Sequence, residues 1–402
     1  MSGVSVDHVV SIIVLLAAIV LFVGLFDQTL SVAVNYQRNT TTAQECDNLL
    51  DEILLTPASP ISGTPAWFGL QGSTLQTYNL DPFLLMRLGS SAGAPVSYQK
   101  TGQTYSEIQT NPNNYLLYPY NDMIAYSTAL KLLGLSSTYG FQLSLKPTVT
   151  VSIKDQTPTN QNPLKLSINV RGTGFPLAHA NVNWLLLPIS IINNYPTFET
   201  PQTGTNSTDN SGQIYQTISG SYSSFAFFAY AYLDGISGIG YYVSPPTGSQ
   251  YVVPFLAPVS TLKVNLANSN DVNVTSTKDT PLYYNSTIIF ESENYAFEQS
   301  SISGSSSSGL LHSGPGYSPA TISMGSYTPC ILVIAYSNAA NSGVTMMPWG
   351  FSSLGFSLTF GNFPVNQPWI ATDLRQVEIN GVSYQATLSL WSTQSYGGTS
   401  LP

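Results

Sequence analysis

Residues 9–26 read VVSIIVLLAAIVLFVGLF, and this stretch organises the whole chain. It is eighteen residues without a charge, and Ser11 carries its single hydroxyl. As an α-helix it would span roughly 27 Å at about 1.5 Å per residue, close to the ~30 Å of a bilayer core. A membrane-spanning helix is therefore expected at Val9–Phe26, with everything downstream displayed on one side of the membrane. The rival reading is a secretory signal peptide, for which Ser31-Val32-Ala33 is an acceptable small-x-small site. Against it, the first 37 residues contain no Lys or Arg, so the basic n-region is missing.

Working outward, Leu30, Val34, Ala43, Cys46, Leu50 and Ile53 fall close to three- and four-residue spacings, one stripe of a helix. No Pro occurs before Pro57, and no Gly lies between Gly24 and Gly63. One helix is expected from about Val6 to Leu55, its outer half packing either on copies of itself or on residues 57–140. A short helix is expected after Asp81, with Pro82 at its first position. A further one is expected from Asn121 to Gly134.

Beyond residue 140 the apolar period becomes two. Phe141, Leu143 and Leu145 alternate, as do Val149, Val151 and Ile153, then Leu164, Leu166, Ile168 and Val170. Ser224–Tyr232 (SFAFFAYAY) is a continuous apolar run of strand length, suited to a strand buried on both faces. Asn380-Gly381 between Val377–Ile379 and Val382–Tyr384 is the strongest hairpin signal. Ser300–Pro319 reads as an exposed loop or linker. The expected fold class is mainly β with one long N-terminal α-helix, β-sandwich modules being carried on a transmembrane helix and stalk. The expected division is 1–56 helix and stalk, 57–146 mixed segment, 147–257 Ig-like sandwich and 258–402 C-terminal β-rich domain.

Composition narrows the function. The chain has 402 residues, of which 8% are charged, and a net charge of −9, so nucleic acid and anionic membrane surfaces are excluded as partners. Its polarity comes from Ser, Thr, Asn, Gln and 25 Tyr, a surface whose hydration is indifferent to pH and salt and suits an extracellular face. Sequons at Asn39, Asn206, Asn273 and Asn285 are candidate glycosylation sites. Cys46 and Cys330 are either a disulfide, two buried thiols or a link between subunits.

Catalytic signals are few. His8, His179 and His312 share no metal-ligand spacing, and no H-E-x-x-H, C-x-x-C, G-x-S-x-G or P-loop occurs. Glu291 and Glu293 point to one strand face and could flank a glycosidic bond, whereas Asp51 and Glu52 read as a solvated helix face. Asn268, Asn270 and Asp271 could offer oxygens to Ca²⁺ but read more simply as a turn. Tyr115, Tyr118, Tyr120, Tyr241 and Tyr242 suit either a sugar-binding face or sheet packing. No catalytic residue, cofactor or metal is expected.

Two resemblances follow. Gly174-Phe175-Pro176-Leu177-Ala178-His179-Ala180-Asn181-Val182, followed by Thr208-Asp209-Asn210-Ser211-Gly212, resembles bacterial Ig-like and carboxypeptidase-regulatory-like sandwiches, which implies a spacer module without catalysis. The layout of residues 1–56 resembles archaeal type IV pilins, whose hydrophobic helix runs into a β-rich, glycosylated head; Asp7 matches their acidic position, while Met1-Ser2-Gly3 lacks their basic one. The resemblance implies a cell-surface, single-pass protein with an extracellular C-terminal portion, structural or adhesive, such as a minor pilin that meets copies of itself through the helix. The alternative is an anchored or secreted carbohydrate-binding or carbohydrate-active enzyme.

Overall fold

The computed structural model describes residues 3–57, 68–72, 76–88, 95–98, 103–111, 114–119, 124–135, 138–157, 162–257, 262–271, 278–292, 294–302, 306–314, 319–326, 328–350, 355, 357–365, 367 and 369–393. The fold is mainly β, with one long N-terminal helix, α1 (Gly3–Leu55), of about 80 Å at the standard rise. Among the described residues, one helix is long and apolar enough to cross a membrane.

The expected sandwich is present. A three-stranded sheet of Thr150–Asp155, Leu164–Arg171 and Gln213–Ile218 faces a five-stranded sheet built on Asn181–Ile192 and Ser224–Leu233. Leu166, Ile168, Val182, Phe227 and Ala229 are all buried between them. Asp209 fixes one connecting turn: its Oδ1 accepts from the Ser211 and Gln213 amides at 2.8 and 2.9 Å. Gly212 follows at φ +74°, where a Cβ would be strained.

The five-stranded sheet is buried on its other face too. Along Ser224–Leu233, Phe225, Phe227, Ala229 and Ala231 enter the sandwich core, while Ala226, Phe228 and Tyr230 enter a second, central core. Cys330–Ser337 repeats the arrangement. Ile331, Val333 and Ala335 join the central core; Cys330, Leu332, Ile334 and Tyr336 join a third core under a six-stranded sheet. Continuous apolar runs are the sequence mark of strands buried on both faces.

The central core is closed by a four-stranded sheet in the order Leu358–Gly361, Tyr139–Pro147, Val382–Ser392, Ala371–Ile379. On it rest the last turns of α1, through Cys46, Leu49, Leu50, Ile53 and Leu54. The Leu70 amide donates to the Ile53 carbonyl at 2.9 Å, satisfying one of the helix's last free acceptors. Arg375 fixes the register of helix on sheet. Its guanidinium meets Asp47, Asp51 (3.1 Å) and Asp373 (2.7 Å), and the Tyr78 hydroxyl adds a bond to Asp51 at 3.2 Å. This neighbourhood holds Asp47 below the ordinary carboxylate range and lifts Arg375 above its own.

Several expectations need correction. The inward stripe of α1 is Thr42, Cys46, Leu49, Leu50, Ile53 and Leu54, whereas Leu30, Val34 and Ala43 face outward. The helix packs on strands 371–392 as well as on Phe68–Leu88. Sheet pairing runs between the expected segments: Tyr139–Pro147 pairs with Val382–Ser392, and Val252–Leu256 lies between Asn114–Pro119 and Lys263–Asn268. Ser300–Pro319 is not all loop, since Ser308–Leu311 pairs with Leu282–Asn285 and buries Leu311. The second short helix is Tyr126–Leu132, beginning at Ala125 and not at Asn121, which lies outside the described residues.

Leu166 is 1% exposed and Lys165, its neighbour, points outward. Leu166→Ala is expected to lower stability by about 2–5 kcal/mol, and Lys165→Ala by less than about 0.5 kcal/mol, in urea unfolding followed by tryptophan fluorescence. Equal effects would mean that the two faces of this strand are reversed.

Candidate functional site

Three hairpin ends from three different sheets meet at one place. Asp234 and Gly235 (φ +47° and +85°) join Ser224–Leu233 to Ile236–Val243. Asn380 and Gly381 (φ +49° and +76°) join Ala371–Ile379 to Val382–Ser392, as the Asn-Gly signal predicts. Two positive φ values in a two-residue loop match the right-handed twist of the flanking strands. The third end holds Tyr295 at φ +56°, before the strand Ala296–Ser301.

Side chains tie these ends together. The Tyr230 and Ser237 hydroxyls both donate to the Gly381 carbonyl, at 2.6 and 2.7 Å. The Ser237 amide donates to the Ser383 hydroxyl at 3.2 Å. Asn183 donates its side-chain amide to the Tyr295 carbonyl at 2.9 Å, and the Tyr295 ring stacks on Tyr232 with centroids 4.5 Å apart. A fourth element closes the group. Asp81 caps the short helix α2 (Pro82–Arg87) by accepting from the Phe83 and Leu84 amides at 2.8 and 3.2 Å. The Leu80 amide donates to the Glu378 carbonyl, which holds this segment against the Asn380 hairpin.

Between these elements is a cleft of about 750 Å³. Glu291 stands in its wall. The Asn380 amide donates to Oε2 at 2.9 Å, while Oε1 is out of contact with solvent and has no hydrogen-bond partner. Burial lifts this carboxyl well above its ordinary value, an effect that the Asn380 bond only partly offsets. Tyr230 is raised as well, by burial first and then by the Glu291 charge. Asp81 and Glu378 also line the cleft, but the first is engaged by its helix and the second is exposed.

The residues singled out in the sequence fall as follows. Glu291 is in the cleft; Glu293 lies outside the described residues. Asp51 is bound to Arg375 and Glu52 is exposed on the helix. Asn268, Asn270 and Asp271 form a turn whose side chains are used internally: Asn268 and Asn270 donate to Thr280, and Asp271 accepts from the Gly314 amide. No three metal-binding side chains cluster among the described residues. His8 and His179 are apart from one another on the helix and a turn, and His312 pairs with Asp279 at 3.0 Å. Tyr241 packs on the central core and Tyr242 on the sandwich core; Tyr115 and Tyr118 lie on Asn114–Pro119, and Tyr120 lies outside the described residues.

Cys46 and Cys330 are free thiols in different cores, each pushed up to about 12 chiefly by burial, so the disulfide reading gives way to two buried thiols. Asn39 is half-buried on α1. Asn206 and Asn285 sit in strands and are also half-buried, their side-chain amides donating to Gln216 (2.5 Å) and to the Pro196 carbonyl (3.2 Å). Neither is the exposed loop site that glycosylation favours. Asn273 lies outside the described residues.

No protein-family model and no curated protein matches the chain. Among solved structures, a crystal structure of red sea bream transglutaminase aligns with 61% of this chain at 10% identity and a TM-score of 0.19. The chain spans 37% of the length of that structure, and a similarity of this size carries no argument about fold or activity.

The raised carboxyl of Glu291 makes stability depend on pH. Above its ordinary 4.5 and below its raised value, the folded state binds the proton that the unfolded state has released. Stability therefore falls as pH rises, by up to about 1.4 kcal/mol per pH unit. In Glu291→Gln that loss is removed, so its melting temperature is expected to gain on the wild type between pH 4 and pH 8. A constant difference across that range would mean that Glu291 is solvated.

Proposed function

We propose that this protein is a single-pass membrane protein whose α1 anchors a rigid, non-enzymatic β-rich head on the outer face of the cell, with a structural or adhesive role and the layout of a minor pilin. The observation that carries this reading is the division of one continuous helix. Its residues 9–26 are apolar and exposed, yet Cys46, Leu49, Leu50, Ile53 and Leu54 of the same helix are buried in the head. An apolar cylinder of that length is not left in water. The low charge and the abundance of Ser, Thr, Asn and Tyr support an extracellular head. The exposed stripe of Leu30, Val34 and Ala43, between anchor and head, supports contact with neighbouring helices.

Two measurements test the proposal. Membrane fractionation with N-terminal sequencing is expected to find the mature protein in the membrane and still carrying residues 9–26. Leu16→Arg or Val20→Arg should each cost about 2.5–3.5 kcal/mol of insertion. A soluble mature protein beginning at Val34 would refute the anchor. For self-association, both native thiols are buried, so Val34→Cys supplies the accessible one. Dimers and higher multimers on oxidation are expected; monomers alone would leave a singly anchored surface protein.

A further inference from the structure

The cleft at Glu291 has features that anchoring and display do not require. Side chains from elements far apart in sequence present polar atoms to one volume of about 750 Å³, within the range of roughly 300–1,000 Å³ typical of small-molecule sites. Two of the backbone conformations here are costly for bulky residues: Tyr295 sits at positive φ, and so does Tyr78 beside it. Glu291 is half-buried in the wall, its Oε2 held by the Asn380 side-chain amide at 2.9 Å.

The chemistry of the walls selects among ligands. Among the described residues no lysine or arginine lines the cleft, so anions have no counter-charge. A cation would need free carboxylates at depth. Asp81 is engaged by two amides and burial favours the neutral form of Glu291, which leaves Glu378 at the exposed edge. What remains is a mixture of donors and acceptors: the amides of Gln76, Asn79 and Asn380 and the hydroxyls of Ser237, Ser292 and Ser383. Hydroxyl groups both donate and accept, so a lining of this kind matches a ligand rich in hydroxyls. An aromatic surface is also present. Tyr295 lines the cleft with 36% of its surface exposed, and its ring is held by stacking on Tyr232 and by an edge contact with Tyr230 at 5.4 Å. A flat ring fixed in this way suits the C–H face of a pyranose, and its hydroxyl remains a polar handle.

We propose that the cleft formed by the Asp234, Tyr295 and Asn380 turns binds a neutral carbohydrate, one sugar stacking on Tyr295 and its hydroxyls bonding to the side chains of Asn380 and Ser292. The site is a binding site and no bond is made or broken in it. The inference is independent of the fate of α1, because every residue it uses belongs to the head.

The test uses the full-length protein in a non-glycosidic detergent, since an alkyl glycoside would occupy the site. Saturation-transfer difference NMR is run against glucose, galactose, mannose and N-acetylglucosamine and their β-linked disaccharides, with n-butylamine and inorganic phosphate in parallel. Transfer to the ring C–H protons of at least one saccharide is expected. Tyr295→Asn, which tolerates the positive φ, should weaken the affinity for that saccharide by about tenfold in calorimetric titration, and Asn380→Gly should weaken it with the turn geometry kept. Near-UV circular dichroism of both variants distinguishes loss of the site from loss of the fold. Transfer to no saccharide, transfer to butylamine or phosphate only, or saccharide binding unchanged in both folded variants would each overturn the proposal.

Discussion

The architecture depends on burying two strands on both faces. Ser224–Leu233 and Cys330–Ser337 each separate two cores, and each gives one face to the same central core. A sheet with one wet face can stand alone; a sheet with two dry faces forces other layers to close over it. Here the closing layers are the four-stranded sheet and the end of α1. The helix is held because the central core would otherwise be open, and the hairpin ends meet because their sheets enclose the same volume.

The helix shows how one element serves two solvents. Its first half presents apolar side chains in every direction and has no partner in the head. Its last turns present a narrow stripe and gain the central core, with Arg375 among three carboxylates fixing the rotation about the helix axis. Exposed ion pairs contribute little to stability individually. Shape complementarity in the stripe supplies the attraction, and the charges choose among the orientations that it permits.

Much of this was legible in the sequence, and the losses have physical causes. Alternation along Phe141–Leu145 and Leu164–Val170 gave the correct inward faces, and Asn380-Gly381 gave the hairpin, because strand period and turn chemistry are local properties. Asp81 and Pro82 placed α2 for the same reason. Pairing between Tyr139–Pro147 and Val382–Ser392 is non-local and leaves no trace in either segment alone. Apolar spacing points the helix stripe through Ala43, whereas the inward position is taken by Thr42, whose hydroxyl is satisfied by the Arg38 carbonyl. Sequence spacing singles out Glu291 only as a neighbour of Glu293. Its depth and its bond to Asn380, 89 residues away, follow only from the way three sheets converge.

The docking of α1 has a temporal side. The Cys46 thiol donates to the carbonyl of Leu388, 342 residues later in the chain. At roughly 5–20 residues per second, ribosomal synthesis takes about 17–70 s to bring these two partners into existence together. Throughout that interval the inner stripe of the helix has no sheet to rest on, while residues 9–26 are already available to a membrane. Insertion and docking are thereby ordered in time: one end of the helix reaches its environment first, and the head seals around the other end as its closing step.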